Sequence, residues 1–266
     1  MIGQKALLTT LDKYTLDTLP KTLLFIGEEG CGKHTLVRYL SKKFNLEVVN
    51  IEEAISPAEI IEYNQCPIDK FYVIDLSKFT EKMQNKLLKF IEEPAPTNYI
   101  IILANSDAGI LTTVLNRCIK FYFAPYSKEE LNAIIGIEKE DLIYKICRTP
   151  GKIMHSDYSK IVGLVKLCRL VVEKIASASY SNVLVVAKTI NCKEDYDKFD
   201  FDLFWNAFLY TAYENYLATN SQNSLKLYKL ANKYKQDLLA YNGLAKEQFL
   251  YKFLTDAWKE VRRDAS

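Results

Sequence analysis

The feature that most constrains the fold is residues 23–36, LLFIGEEGCGKHTL. An apolar run closes on Gly27, and Gly27, Gly32 and Lys33 then stand at the spacing G-x4-G-K, with Gly30 between them. In such a turn backbone N–H groups surround phosphate oxygens and the lysine neutralises them. The turn works where a buried strand feeds directly into a helix. Residues 22–27 therefore predict a core strand, and residues 33–44 a helix with Leu36, Val37 and Leu40 on one face.

Further strands are expected over 46–51, 70–76, 99–105 and 119–123, and further helices over 5–18, 56–65 and 80–94. Ser56 followed by Pro57 marks one helix start, and Thr80 another. The run YIIILAN (99–105) is too continuously apolar to face water on either side. Such runs alternating with helices indicate a parallel sheet covered on both faces. After Pro125 the pattern changes. Ser127 and Glu130 have capping-box spacing, and the remainder reads as helices over 158–178, 180–190, 199–219, 222–240 and 244–263. The expected organisation is an α/β phosphate-loop domain over 1–124, a small helical lid over 125–156 and an all-α C-terminal domain over 157–266.

A formal net charge of +2 means that any nucleic-acid role rests on a local patch. The six cysteines, at 31, 66, 118, 147, 168 and 192, form no C-x-x-C pair, so reduced thiols and no zinc are expected. The first residues lack the basic region and apolar core of a signal peptide, and no apolar run reaches transmembrane length. A cytoplasmic protein without a membrane partner is the expectation.

The catalytic half of the loop is incomplete. Where a Ser or Thr hydroxyl would hold Mg²⁺, the chain has His34, whose neutral imidazole is a poor substitute for a hard oxygen ligand. Thr35 sits about 100° further round the helix and does not replace it. Asp75 ends the strand FYVID, but the next residue is Leu76, an apolar side chain that cannot orient an attacking water. Loss of two positions predicts no intrinsic ATPase and no required cofactor. Weak ATP or ADP binding through the backbone nest, with Lys33, Thr35 and Asp75 at its edge, is compatible with these residues.

Residues 71–127 make the pattern specific. NKLLKFIEEP (85–94), the strand ending LANSD and LNRCIKFYF (115–123) resemble the AAA+ core of bacterial clamp-loader subunits. Asn116 stands where that family's box has Ser. IGQKALLTTL (2–11) resembles the family's adenosine-contacting segment, so the resemblance spans about residues 2–155. RTPGKI (148–153) looks most like the delta-prime branch, whose members resemble motors that no longer hydrolyse ATP. The resemblance implies a DNA polymerase III component: an AAA+ scaffold within a ring that places a sliding clamp on primer–template DNA. Its implied partners are an ATP-binding subunit, a clamp-opening subunit and the clamp.

Within that resemblance Arg117 is an arginine finger for a neighbouring subunit; an intrachain salt bridge is the other reading. Lys82, Lys86 and Lys89 share one helical face suited to DNA phosphates, although Glu81, Glu92 and Glu93 also fit a solvated mixed-charge face. The aromatics Phe201, Phe204, Trp205, Phe208 and Tyr216 read mainly as core, with Tyr228, Tyr234 and Tyr241 adding bulk for a subunit interface. His155 reads as a surface residue. Two other functions stay open, a hydrolysing motor subunit of the same ring and a regulatory AAA+ module outside replication.

Overall fold

The computed structural model describes residues 3–177, 200–240 and 246–262. The helix expected over 180–190, Cys192 and Tyr241 lie outside the described residues. Five strands, β1 (Thr22–Ile26), β2 (Glu47–Ile51), β3 (Lys70–Asp75), β4 (Asn98–Ala104) and β5 (Ile119–Tyr122), form one sheet in the order β2-β3-β4-β1-β5. Every pairing is parallel, so each return crosses over through a connecting segment, as the alternation of strands and helices requires.

Both faces of the sheet are packed. Leu24, Ile26, Ile74, Ile100 and Ile102 lie with Leu87, Phe90 and Ile91 of α4 (Glu81–Glu92). The intervening residues Leu23, Phe25, Phe71, Val73, Ile101 and Leu103 meet Leu7 and Leu11 of α1 (Lys5–Asp12) and Leu36, Val37 and Leu40 of α2 (Lys33–Phe44). Alternate strand side chains thus enter two separate cores, which is why the central strands are apolar without interruption. The edge strands are more open: Glu47 and Asn50 of β2 and Ile119 and Tyr122 of β5 are exposed. Ser56 with Glu59 caps α3 (Pro57–Gln65) and Ser127 with Glu130 caps α6 (Lys128–Ile135), both as capping boxes. Thr80 occupies the N-cap of α4 without a side-chain capping bond.

By internal contacts the chain divides into two compact units, Met1–Glu138 with Thr149–Met154, and Lys139–Arg148 with His155–Ser266. α6 and α8 (Pro150–Met154) belong to the first, and α7 (Asp141–Ile146) to the second. The second unit also holds α9 (Tyr158–Ser177), α10 (Phe201–Thr219), α11 (Gln222–Ala240) and α12 (Lys246–Arg262). Phe201, Phe204, Trp205 and Phe208 are buried in its core, and the Trp205 ring lies 4.6 Å from that of Phe253. Further along α10, Tyr216 is half-buried, while Tyr213 and Leu217 are exposed. Cys31, Cys118, Cys147 and Cys168 are buried and Cys66 is half-buried, none of them in a disulfide among the described residues. His155 is exposed. No described helix is long and apolar enough to cross a membrane.

Candidate nucleotide loop and subunit edge

The loop between β1 and α2 is shaped by its glycines. Gly27 N–H donates to Ala104 O at 3.1 Å, carrying the β1–β4 ladder one residue past the strand. A Cβ at Gly27 would meet Cys31 Sγ and Phe123 Cβ at 2.7 Å. Gly32 caps α2 in the left-handed region (φ 99°), where a side chain is disfavoured.

Lys33 is the centre of the loop. Its ammonium donates to Gly27 O at 2.6 Å, Glu28 O at 3.1 Å and Asn105 Oδ1 at 3.0 Å. Burial holds its pKa below the ordinary lysine range, against the opposing pull of Cys31, Asp75 and Glu29. Burial likewise pushes the Cys31 thiol up, with Lys33 opposing. Asn105 follows β4 and reaches Lys33 because β4 neighbours β1 in the sheet.

His34 and Thr35 are exposed on the first turn of α2. Asp75, at the end of β3, accepts from Ser77 N at 3.2 Å and Ser77 Oγ at 2.7 Å, so its carboxylate caps the short turn Leu76–Lys78. Leu76 is buried in the sheet core. Position 34 thus presents an imidazole rather than a hydroxyl, position 76 a buried leucine, and Asp75 Oδ1 accepts two bonds from its own turn. Among the described residues no group of three or more His, Cys, Asp or Glu is placed to hold a metal ion.

A second segment closes on the loop within the same unit. Thr149 Oγ1 donates to Glu29 O at 2.8 Å, and Gly151 N–H donates to Gly30 O at 3.0 Å. A Cβ on Gly151 would stand 2.7 Å from Gly30 Cα, so the two backbones cross with no room for a side chain. Gly151→Ala should force them apart at about 1–3 kcal/mol. The expected result is faster hydrogen exchange of the amide at position 151; unchanged exchange would show the crossing to be slack. Gln4 ties the N-terminal segment to this region, donating to Ala124 O at 2.8 Å and accepting from Ala124 N at 2.9 Å.

Arg117 follows α5 (Thr112–Leu115). One guanidinium nitrogen donates to Thr113 O and the other to Glu92 Oε1, each at 2.7 Å, and the side chain stays 32% exposed. The intrachain pair weighed above is therefore made. An exposed pair contributes about 0–1 kcal/mol, enough to orient the guanidinium but not to bury it. Lys82, Lys86 and Lys89 are exposed on the face of α4 opposite its apolar one and make no ion pair among the described residues. Sequence reasoning did not single out Gln4, Asn105 or Thr149, and it placed Glu92 on a mixed-charge face without pairing it to Arg117. Asn105 had a local signal, its place directly after an apolar strand; the other three act through partners distant in sequence.

A family model described as DNA polymerase III, delta subunit, matches residues 62–127. DNA polymerase III subunit gamma of Buchnera aphidicola (subsp. Baizongia pistaciae) is 26% identical over 233 residues, 71% of this chain and 60% of that protein. DNA polymerase III subunit delta' of Haemophilus influenzae is 43% identical over 47 residues, 18% of this chain and 14% of that protein. Over these stretches the chain is similar to DNA polymerase III subunits. The unit that carries the matched residues 62–127 is an α/β domain built on a five-stranded parallel sheet. The chain spans 60% or less of the length of these relatives. A solved DNA polymerase III gamma subunit-related protein from Thermotoga maritima aligns over 97% of this chain and 99% of its own, at 16% identity and a TM-score of 0.45.

Proposed function

We propose that the protein is a delta-prime-like, non-hydrolysing subunit of a sliding-clamp loader, a scaffold that offers Arg117 to a neighbouring ATPase subunit during DNA replication. The observation that carries this reading is the state of the acidic strand end: Asp75 is bound to Ser77, and the residue after it is the buried Leu76. His34 in place of a magnesium-binding hydroxyl supports it. The partners on this reading are an ATP-binding subunit, a clamp-opening subunit, the sliding clamp and, through the complex, primer–template DNA. Ring assembly falls to the C-terminal helical unit, where Tyr213 and Leu217 remain exposed. The surviving loop needs no cofactor for this role and leaves room for weak nucleotide binding.

The isolated chain should hydrolyse ATP no faster than background, and Lys33→Ala should change nothing in that assay. Turnover that disappears in Lys33→Ala would overturn the reading. It would favour the alternative of an ATP-hydrolysing motor subunit, which the broad match to a gamma subunit and the intact G-x4-G-K spacing support. Failure to co-purify with clamp and polymerase subunits would favour a role outside replication.

A further inference from the structure

We propose that a lysine-lined trough between α11 and α12 binds the sugar–phosphate backbone of a nucleic-acid strand. Two adjoining depressions of about 500 Å³ and 470 Å³ share Leu230, Lys233 and Asp256 and so form one trough. Lys229 and Lys233 line it from α11, and Lys252 and Lys259 from α12. All four are exposed, and none makes an ion pair among the described residues. Asp256, the carboxylate shared by both depressions, accepts the hydroxyl of Tyr234.

The charge is local. The trough carries five lysines against three carboxylates, an excess equal to the formal charge of the whole chain, +2. A concentration of this kind, in an otherwise near-neutral protein, is the electrostatic footprint of a polyanion site. Lys226 and Lys233 on one wall, and Lys252 and Lys259 on the other, are each seven residues apart, about 10 Å along a helix. That length matches about three nucleotide steps of a duplex.

The even spacing favours a strand of regularly placed phosphates over an acidic peptide. Among the described residues the lining includes no arginine, so the charge is offered as ammonium point charges rather than as bidentate forks. Lysine ammoniums are point charges that suit phosphate oxygens approached from many directions. The aromatic floor, Tyr234 and Phe249, is buried, each 6% exposed, so no ring is offered for base stacking. The strand is held by its backbone alone, without regard to sequence. This inference goes beyond the clamp-loader reading and needs no partner subunit.

The test is fluorescence anisotropy of a labelled oligonucleotide, single-stranded in one arm and duplex in the other, titrated with the full chain across a salt series. The isolated chain should bind at low salt, and affinity should fall as salt rises. Lys233→Gln with Lys252→Gln should weaken binding at least tenfold at low salt and flatten the duplex slope of log K against log salt by about 1.8, or about 1.4 for a single strand. Both substitutions lie on exposed positions, and an unchanged melting temperature confirms that the fold is intact. The stronger arm identifies the strand form. The proposal is overturned by absence of binding at low salt, or by an unchanged slope in the double variant. It is also overturned if only Lys82→Gln, Lys86→Gln and Lys89→Gln together reduce binding, or if polyglutamate of matched charge displaces the oligonucleotide outright. None of these outcomes bears on assembly with other subunits, so the clamp-loader reading stands or falls separately.

Discussion

Complexes assembled with Arg117→Ala protein should hydrolyse ATP more slowly under clamp and DNA stimulation, with hydrolysis at one neighbouring site nearly abolished. A guanidinium aimed at a γ-phosphate contributes about 10³–10⁵ in rate, and only the site facing this chain loses it. The whole-complex rate should therefore drop by that site's share rather than to zero. The variant itself should fold and assemble, because the pair it loses with Glu92 is exposed and contributes at most about 1 kcal/mol. Arg117→Lys should recover little, since an ammonium cannot reproduce the planar fork. Glu92→Ala separates two roles: if Arg117 only anchors α4, both variants change stability alike and neither changes hydrolysis. Equal rates for wild-type and Arg117→Ala complexes, with assembly intact, would remove the finger from the proposed function.

The largest stability effect is expected at Trp205. It is wholly buried on α10, and its ring lies 5.5 Å from Phe204, 4.6 Å from Phe253 and 6.2 Å from Phe249. Trp205→Ala should cost about 3–5 kcal/mol, a large part of the 5–15 kcal/mol by which a domain is ordinarily stable. Its indole N–H has no acceptor among the described residues, so Trp205→Phe should cost distinctly less. Denaturant titration of the full chain should show the helical unit unfolding at lower denaturant in Trp205→Ala. Co-purification with the other subunits should weaken in parallel if that unit joins the ring. A transition unmoved by Trp205→Ala would mean that the aromatic cluster is not the centre of this core.

Much of the α/β unit was legible because its signals are local. Residues 33–44 form a helix within the expected limits because Gly32 can cap in the left-handed region and Leu36, Val37 and Leu40 return at helical spacing. Ser127 and Glu130 specify their helix start within four residues. The order of the strands was not legible, since placing β4 between β3 and β1 depends on crossovers that leave no mark in either strand. The same limit governs the site. Asp75 and Leu76 could be read together as neighbours, but the bond from Thr149 to Glu29 spans 120 residues, and Glu92 meets Arg117 across 25. The helix 5–18 came out shorter, as Lys5–Asp12 followed by a tight turn at Leu16–Thr18, because the apolar spacing continues through both conformations.

At the crossing of Gly30 and Gly151 main chain meets main chain through a bond of 3.0 Å, with the Thr149 hydroxyl bonded to Glu29 O beside it. A contact cushioned by side chains can yield by degrees as rotamers give way. Two bare backbones have no rotamers to rearrange, so the separation of the two chains here is set by the main chain itself. The loop after β1 and residues 149–154 are therefore held in register by backbone geometry, and a change of side chain elsewhere on either segment leaves that spacing untouched.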